Sequence, residues 1–238
     1  MAVIPEPPVS TPGRRVPLWL KLALSAFVAV QVPFYWYSYG PTNFLYFCDV
    51  ALLLTLAAVW LESPLLASMP TVGILLPQML WVTDFLCGLT GHPLTGMTNY
   101  MFDEKLLLFS RLISLFHGWL PFLLLWLVYR LGYDRRALAA WTLLAWVLMT
   151  VCYFLMPAPP APAETPNLPV NINYVYGMSD EQPQSWMPAN AYFVLMLVAF
   201  PVCLFLPAHF FLRLFFPAVE TTTPVPAVLK PSPVSQEA

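Results

Sequence analysis

The chain has 238 residues, 59% of them hydrophobic and 9% charged, with a formal net charge of −2. A soluble domain carries roughly 25% charge, so these residues cannot clothe a water-exposed globule, and no nucleic-acid partner is expected. The expected class is all-α: a polytopic membrane bundle of six transmembrane helices with no soluble domain.

Residues 1–15 are proline-rich and read as a disordered cytoplasmic N-terminus. Arg14 and Arg15 precede the apolar run 16–37 and raise the question of a twin-arginine signal. That run is too long for a signal h-region and ends in WYSYG instead of a small-residue cleavage site, so an uncleaved first span is expected. Five further runs follow at 43–60, 65–86, 106–131, 137–156 and 189–216. Each is close to the ~20 apolar residues that a helix needs to cross a bilayer. Residues 16–216 therefore form the expected transmembrane domain, and the Pro- and Thr-rich stretch 217–238 a disordered cytoplasmic tail. Pro33, Pro70, Pro77, Pro121, Pro201 and Pro207 interrupt the runs. In lipid such prolines are tolerated as kinks whose freed carbonyls find neighbours. The short connection Glu62-Ser63-Pro64 predicts a tight helical hairpin.

Lysine and arginine bias sets the expected orientation. With six spans, Arg14, Arg15, Lys21, Arg130, Arg135, Arg136, Arg213 and Lys230 fall on one side, eight of the ten basic residues. Lys105 and Arg111 fall on the other, and loop 157–188 has neither Lys nor Arg. Both termini are expected in the cytoplasm of a bacterium, with the protein in its inner (plasma) membrane and loops 87–105 and 157–188 outside.

Polar groups inside the runs mark the candidate site, because each ionisable group there costs a few kcal/mol unless it is paired or faces a polar cavity. At ~1.5 Å per helical residue, Cys48 and Asp49 lie roughly 8 Å in from the outer end of the second run, and Asp84 sits just before the outer end of the third. Arg111 is shallow in the fourth run, and His117 is roughly 9 Å deeper. All five share the outer half of the membrane. Ser110, Ser114 and His117 share one helix face, whereas Arg111 is turned roughly 120° from His117. The simplest arrangement pairs Arg111 with Asp84 or Asp49 and leaves His117 to meet Cys48. Asn171, Asn173, Tyr174 and Tyr176 in VNINYVYG, with Asn99, Tyr100 and Asp103, form an expected outer cap. Cys87, Cys152 and Cys203 show no ligand spacing, so no metal or cofactor is expected.

Three stretches, NFLYFCD (residues 43–49), SLFHGWLPFLL (114–124) and NINYVYG (171–177), resemble a bacterial family of uncharacterised six-span "membrane-associated" proteins over about residues 43–216. More distantly the order of motifs is similar to the YwaF-like integral membrane family. Its relatives include an animal acyltransferase of ether phospholipids with a cysteine nucleophile and a histidine. That resemblance implies Cys48 as nucleophile and His117 as its base. The androgen-induced intramembrane hydrolases of fatty-acid esters are a weaker likeness; their threonine nucleophile falls nearer Tyr46, which cannot serve in that way.

Three functions follow as expectations. One is an intramembrane acyltransferase or hydrolase acting on lipid acyl groups through Cys48 and His117, with Arg111 or Asn43 as oxyanion donor. A second is a non-catalytic lipid- or ligand-binding or scaffold subunit of a membrane complex. The third is a proton-coupled transporter using Asp49, Asp84 and His117, although the cytoplasmic half offers little beyond His209 and no inverted repeat is visible. In each the expected partner is membrane lipid.

Overall fold

A computed structural model describes residues 16–165 and 168–219; the terminal segments expected to be disordered lie outside these apart from residues 217–219. Helices α1 (Leu18–Tyr39), α2 (Phe47–Leu61), α3 (Pro64–Leu89), α4 (Leu108–Ser114), α5 (Phe116–Leu131), α6 (Ala137–Leu155), α7 (Ala189–Phe200) and α8 (Leu206–Phe215) build the molecule. No strand forms among the described residues; Tyr133 and Ala218 make one isolated bridge. The chain is an all-α polytopic bundle. Among the described residues five helical stretches are long and apolar enough to cross a membrane, counting Leu108–Leu131 and Ala189–Phe215 as one each.

The second run departs from expectation. Its helix has 15 residues, about 22 Å at 1.5 Å per residue, less than the ~30 Å hydrocarbon core. Gly40, at φ 80°, and Pro41 turn the chain into a 3-10 segment, Pro41–Leu45, and Tyr46 is extended. Non-helical backbone at that depth is tolerated where it is buried in protein or lines a cavity, and Asn43 within it is buried.

Helix α3 is the axis of the bundle and packs on α2, α5, α6 and α8. Its segment from Ala67 to Leu75 is buried on nearly every side, as a central helix must be. The missing Cβ of Gly73 lets the Trp141 indole of α6 lie directly on the α3 backbone; a Cβ there would overlap the ring. Pro70 and Pro77 do not end α3. Pro201 and Pro207 are absorbed by a π-helical stretch, Pro201–Phe205, between α7 and α8. The outer surface carries Trp19, Leu22, Val30, Leu143, Val147 and Leu214 exposed, residues that suit lipid.

The two ends of the bundle differ. At one end the Lys21–Glu62 ion pair (2.7 Å) ties α1 to the α2–α3 hairpin. Beside it, the Ser68 hydroxyl accepts from the Asp134 amide at 3.0 Å, and Tyr133 and His209 share a 2.6 Å hydrogen bond. The other end gathers the Pro41–Leu45 turn, the 90–107 connection and the loop before α7.

Candidate functional site

A cavity of about 380 Å³ opens among α1, α2, α3 and α4–α5 at the second end, lined by residues including Asp49, Cys48, Gln78, Trp81, Ser114 and His117. Its polar floor is the Asp49 carboxylate, 3% exposed. Gln31 of α1 donates to Oδ1 at 2.8 Å and Asn43 to Oδ2 at 3.2 Å. The Cys48 thiol lies 3.9 Å from Oδ2. All these partners donate, so the carboxyl acts as an acceptor only, and no cation of the described residues bonds to it.

The α4–α5 junction shapes the opposite wall. The Gly118 amide bonds to the Leu115 carbonyl, three residues back, and not to Ser114. Pro121 has no N–H to offer the His117 carbonyl. The helix breaks at Leu115, and the freed Ser114 carbonyl takes the His117 Nδ1 at 2.8 Å. A carbonyl only accepts, which places a proton on Nδ1; in the neutral ring Nε2 is then the acceptor. Trp81 stacks on the imidazole with ring centroids 5.5 Å apart. Its own N–H reaches the Tyr100 hydroxyl at 3.1 Å; burial pushes the Tyr100 phenol up, so that hydroxyl stays protonated. From α1, Tyr35 meets the Ser114 hydroxyl at 3.2 Å and Tyr39 meets Ser110 at 2.6 Å.

The NINYVYG loop closes the site through asparagine chemistry. Asn171 (φ 50°) and Asn173 (φ 59°) adopt the left-handed region that Asn tolerates better than most residues. The Asn173 side chain clasps the start of α2: Oδ1 accepts from the Phe47 amide at 3.0 Å and Nδ2 donates to the Leu45 carbonyl at 2.9 Å. It thereby caps a helix whose own first residues supply no side-chain cap. Asn171 braces the loop internally, donating to the Gly177 and Ser179 carbonyls and accepting from the Tyr176 amide. Tyr176 donates to the Tyr153 carbonyl on α6, and Tyr174, itself at φ 59°, lines the cavity.

Two expected members of the cluster lie elsewhere. Asp84 receives the amides of Thr95, Gly96 and Thr98 and the Thr98 hydroxyl, so it organises the 95–98 turn that carries Met97 and Tyr100 to the cavity mouth. Arg111 pairs with neither Asp84 nor Asp49. Its guanidinium reaches the Met101 carbonyl at 3.3 Å, and its buried Nε has no partner among the described residues. The turn at 115 and the satisfied state of both carboxylates explain this correction. Nor do Cys48 and His117 bond to each other: they line the same cavity from different helices, and the thiol faces Asp49. Gln31, Tyr35, Tyr39 and Gln78 belong to the site without having been singled out in the sequence. Gln31 and Gln78 carry the same signal as Asp49, a polar side chain inside an apolar run. Comparison with protein-family models, with curated proteins and with solved structures finds no match.

Proposed function

We propose that this integral membrane protein takes the polar end of an amphipathic, membrane-derived molecule into the cavity floored by Asp49. The observation that carries the reading is a 380 Å³ space with hydrogen-bonding walls inside a bundle whose outer surface is apolar; ligand sites commonly have about 300–1,000 Å³ and a few convergent polar groups. In this reading α2, with its preceding turn, is a sixth span. Both termini are cytoplasmic in a bacterial inner membrane, because Lys21, Arg135, Arg136 and Arg213 all lie at the end opposite the cavity. The test is photocrosslinking of a diazirine-bearing acyl lipid to the full-length protein in membranes. Adducts on the cavity segments of α2 and α4 are expected. Adducts confined to lipid-facing positions such as Trp19, Leu143 and Leu214 would sink the reading.

A second reading, acyl transfer or hydrolysis, is favoured by the acceptor state of His117 Nε2 in the cavity that Cys48 also lines. There a base, His117 or the Asp49 carboxylate that the thiol already faces, takes the thiol proton. The thiolate adds to an acyl carbonyl, the alcohol leaves with the proton, and water or an acceptor hydroxyl releases the acyl-cysteine. Labelling by an acyl-directed probe should vanish in both Cys48→Ala and His117→Ala; labelling unchanged in both removes the enzyme.

A further inference from the structure

Three properties of the cavity select the charge of what enters it. First, its acids are uncompensated. Asp49 at the floor and Asp180 at the mouth line it, and among the described residues no Lys or Arg does. Asp49 receives only neutral donors on its two oxygens, and among the described residues no cationic side chain pairs with it. Second, aromatic rings line it, among them Tyr35, Tyr39, Tyr46, Tyr100 and Tyr174. The face of such a ring attracts a cation within about 6 Å of its centre. Third, Gln78 is 5% exposed, lines the cavity, and leaves its carbonyl oxygen buried without a donor. A buried acceptor without a donor is costly, and an N–H or polarised C–H of an entering cation relieves it. His117 does not supply the missing charge, since its Nδ1 proton is committed to the Ser114 carbonyl and a neutral ring satisfies that bond.

We propose that the cavity is a recognition site for an organic ammonium group, with the cation among the tyrosine rings and against Asp49. The proposal rests on the ligand-site reading above and narrows it to a ligand class. The group has two possible sources, the headgroup of a choline- or ethanolamine-type lipid and a free amine of the same chemistry.

The test uses the full-length protein in a neutral maltoside detergent. Alkylation of Cys48 on the cavity wall is followed by peptide mass spectrometry, with thermal stability measured in parallel. Choline should slow Cys48 alkylation at least tenfold at saturation and raise the melting temperature. Its uncharged carbon isostere, 3,3-dimethylbutan-1-ol, should do neither at the same concentration. Asp49→Asn should raise the half-protective choline concentration tenfold or more. Tyr46→Leu, which removes a ring whose hydroxyl bonds to none of the described residues, should raise it at least threefold and serves if Asp49→Asn does not fold. Dihexanoylphosphatidylcholine protecting at lower concentration than choline identifies the lipid source, and the reverse order the free amine. Equal protection by choline and the isostere overturns the cation while leaving an amphipath site. No protection by any of these compounds overturns both.

Discussion

Replacing Asn173 probes how the outer loop holds the site together. Its amide makes two hydrogen bonds to the α2 entrance, 3.0 Å from the Phe47 amide and 2.9 Å to the Leu45 carbonyl, and the residue is 4% exposed. Each bond contributes about 0.5–1.5 kcal/mol net, and a buried backbone group left without a partner costs about 1–3 kcal/mol. Alanine also fits the left-handed backbone at φ 59° poorly, by about 1–2 kcal/mol. Asn173→Ala should therefore lose about 3–4 kcal/mol. Asn173→Gly relieves the backbone without restoring the clasp and should recover about 1 kcal/mol of that. Asn173→Asp keeps an acceptor for the Phe47 amide, loses the donor to Leu45, and should fall between wild type and alanine. Equilibrium unfolding in mixed maltoside and dodecyl sulfate micelles measures the series. An alanine variant within about 0.5 kcal/mol of wild type, inside the range of an ordinary surface change, would refute the clasp.

Other substitutions test the packing and the charges. Gly73→Ala drives a methyl into the buried Trp141 ring and should cost about 1–3 kcal/mol as overpacking; unchanged stability in the same micelle assay would mean that α3 and α6 do not meet there. Arg111→Met removes a buried guanidinium nitrogen without a partner for the loss of one long hydrogen bond, so stability should change by less than about 1 kcal/mol or rise. A loss above 3 kcal/mol would point to a carboxylate partner after all. At the opposite end, the Arg136 guanidinium holds the Asp134 carboxyl below its usual range, against about 3.9 in an unfolded chain. The charged form is the one favoured by folding, so this stabilisation is full above about pH 4 and drains away as the pH falls through the lower native value. The stability gap between wild type and Asp134→Asn should be constant from about pH 5 to 7 and shrink below about pH 4. A gap unchanged at pH 3 contradicts the assignment.

The helical runs were legible because hydrocarbon demands long apolar stretches and intrahelical hydrogen bonds, and run length fixes both. The depth of the polar groups was legible for the same reason: rise per residue converts position into height. Rotation was not. Height alone predicts an ion pair for Arg111, since charges at one depth are expected to meet. The local break at Leu115 and the turn captured by Asp84 settle where those side chains point, and both depend on hydrogen bonds between residues that hydropathy does not distinguish. The α2 entrance was placed several residues early because Asn43, Phe44 and Leu45 look helical by composition, while Gly40 and Pro41 bend the chain and distant Asn173 supplies the cap. The aromatic walls were hidden too, since Tyr35 and Tyr46 also fit the aromatic belt found at any membrane interface.

The central claim is that α2 and α4–α5 wall one shared cavity beneath the outer loops. Its most direct test is the rate at which a small neutral thiol reagent, added from outside to spheroplasts, modifies Cys48 in wild type and in Ser114→Phe. Ser114 lies on α4 and lines the same space, so a phenyl ring there should fill it. The account predicts steady modification of Cys48 in wild type and a loss of at least tenfold in Ser114→Phe, with both proteins inserted and equally monodisperse. Equal rates in the two, or modification reached only from the cytoplasmic side, would contradict it.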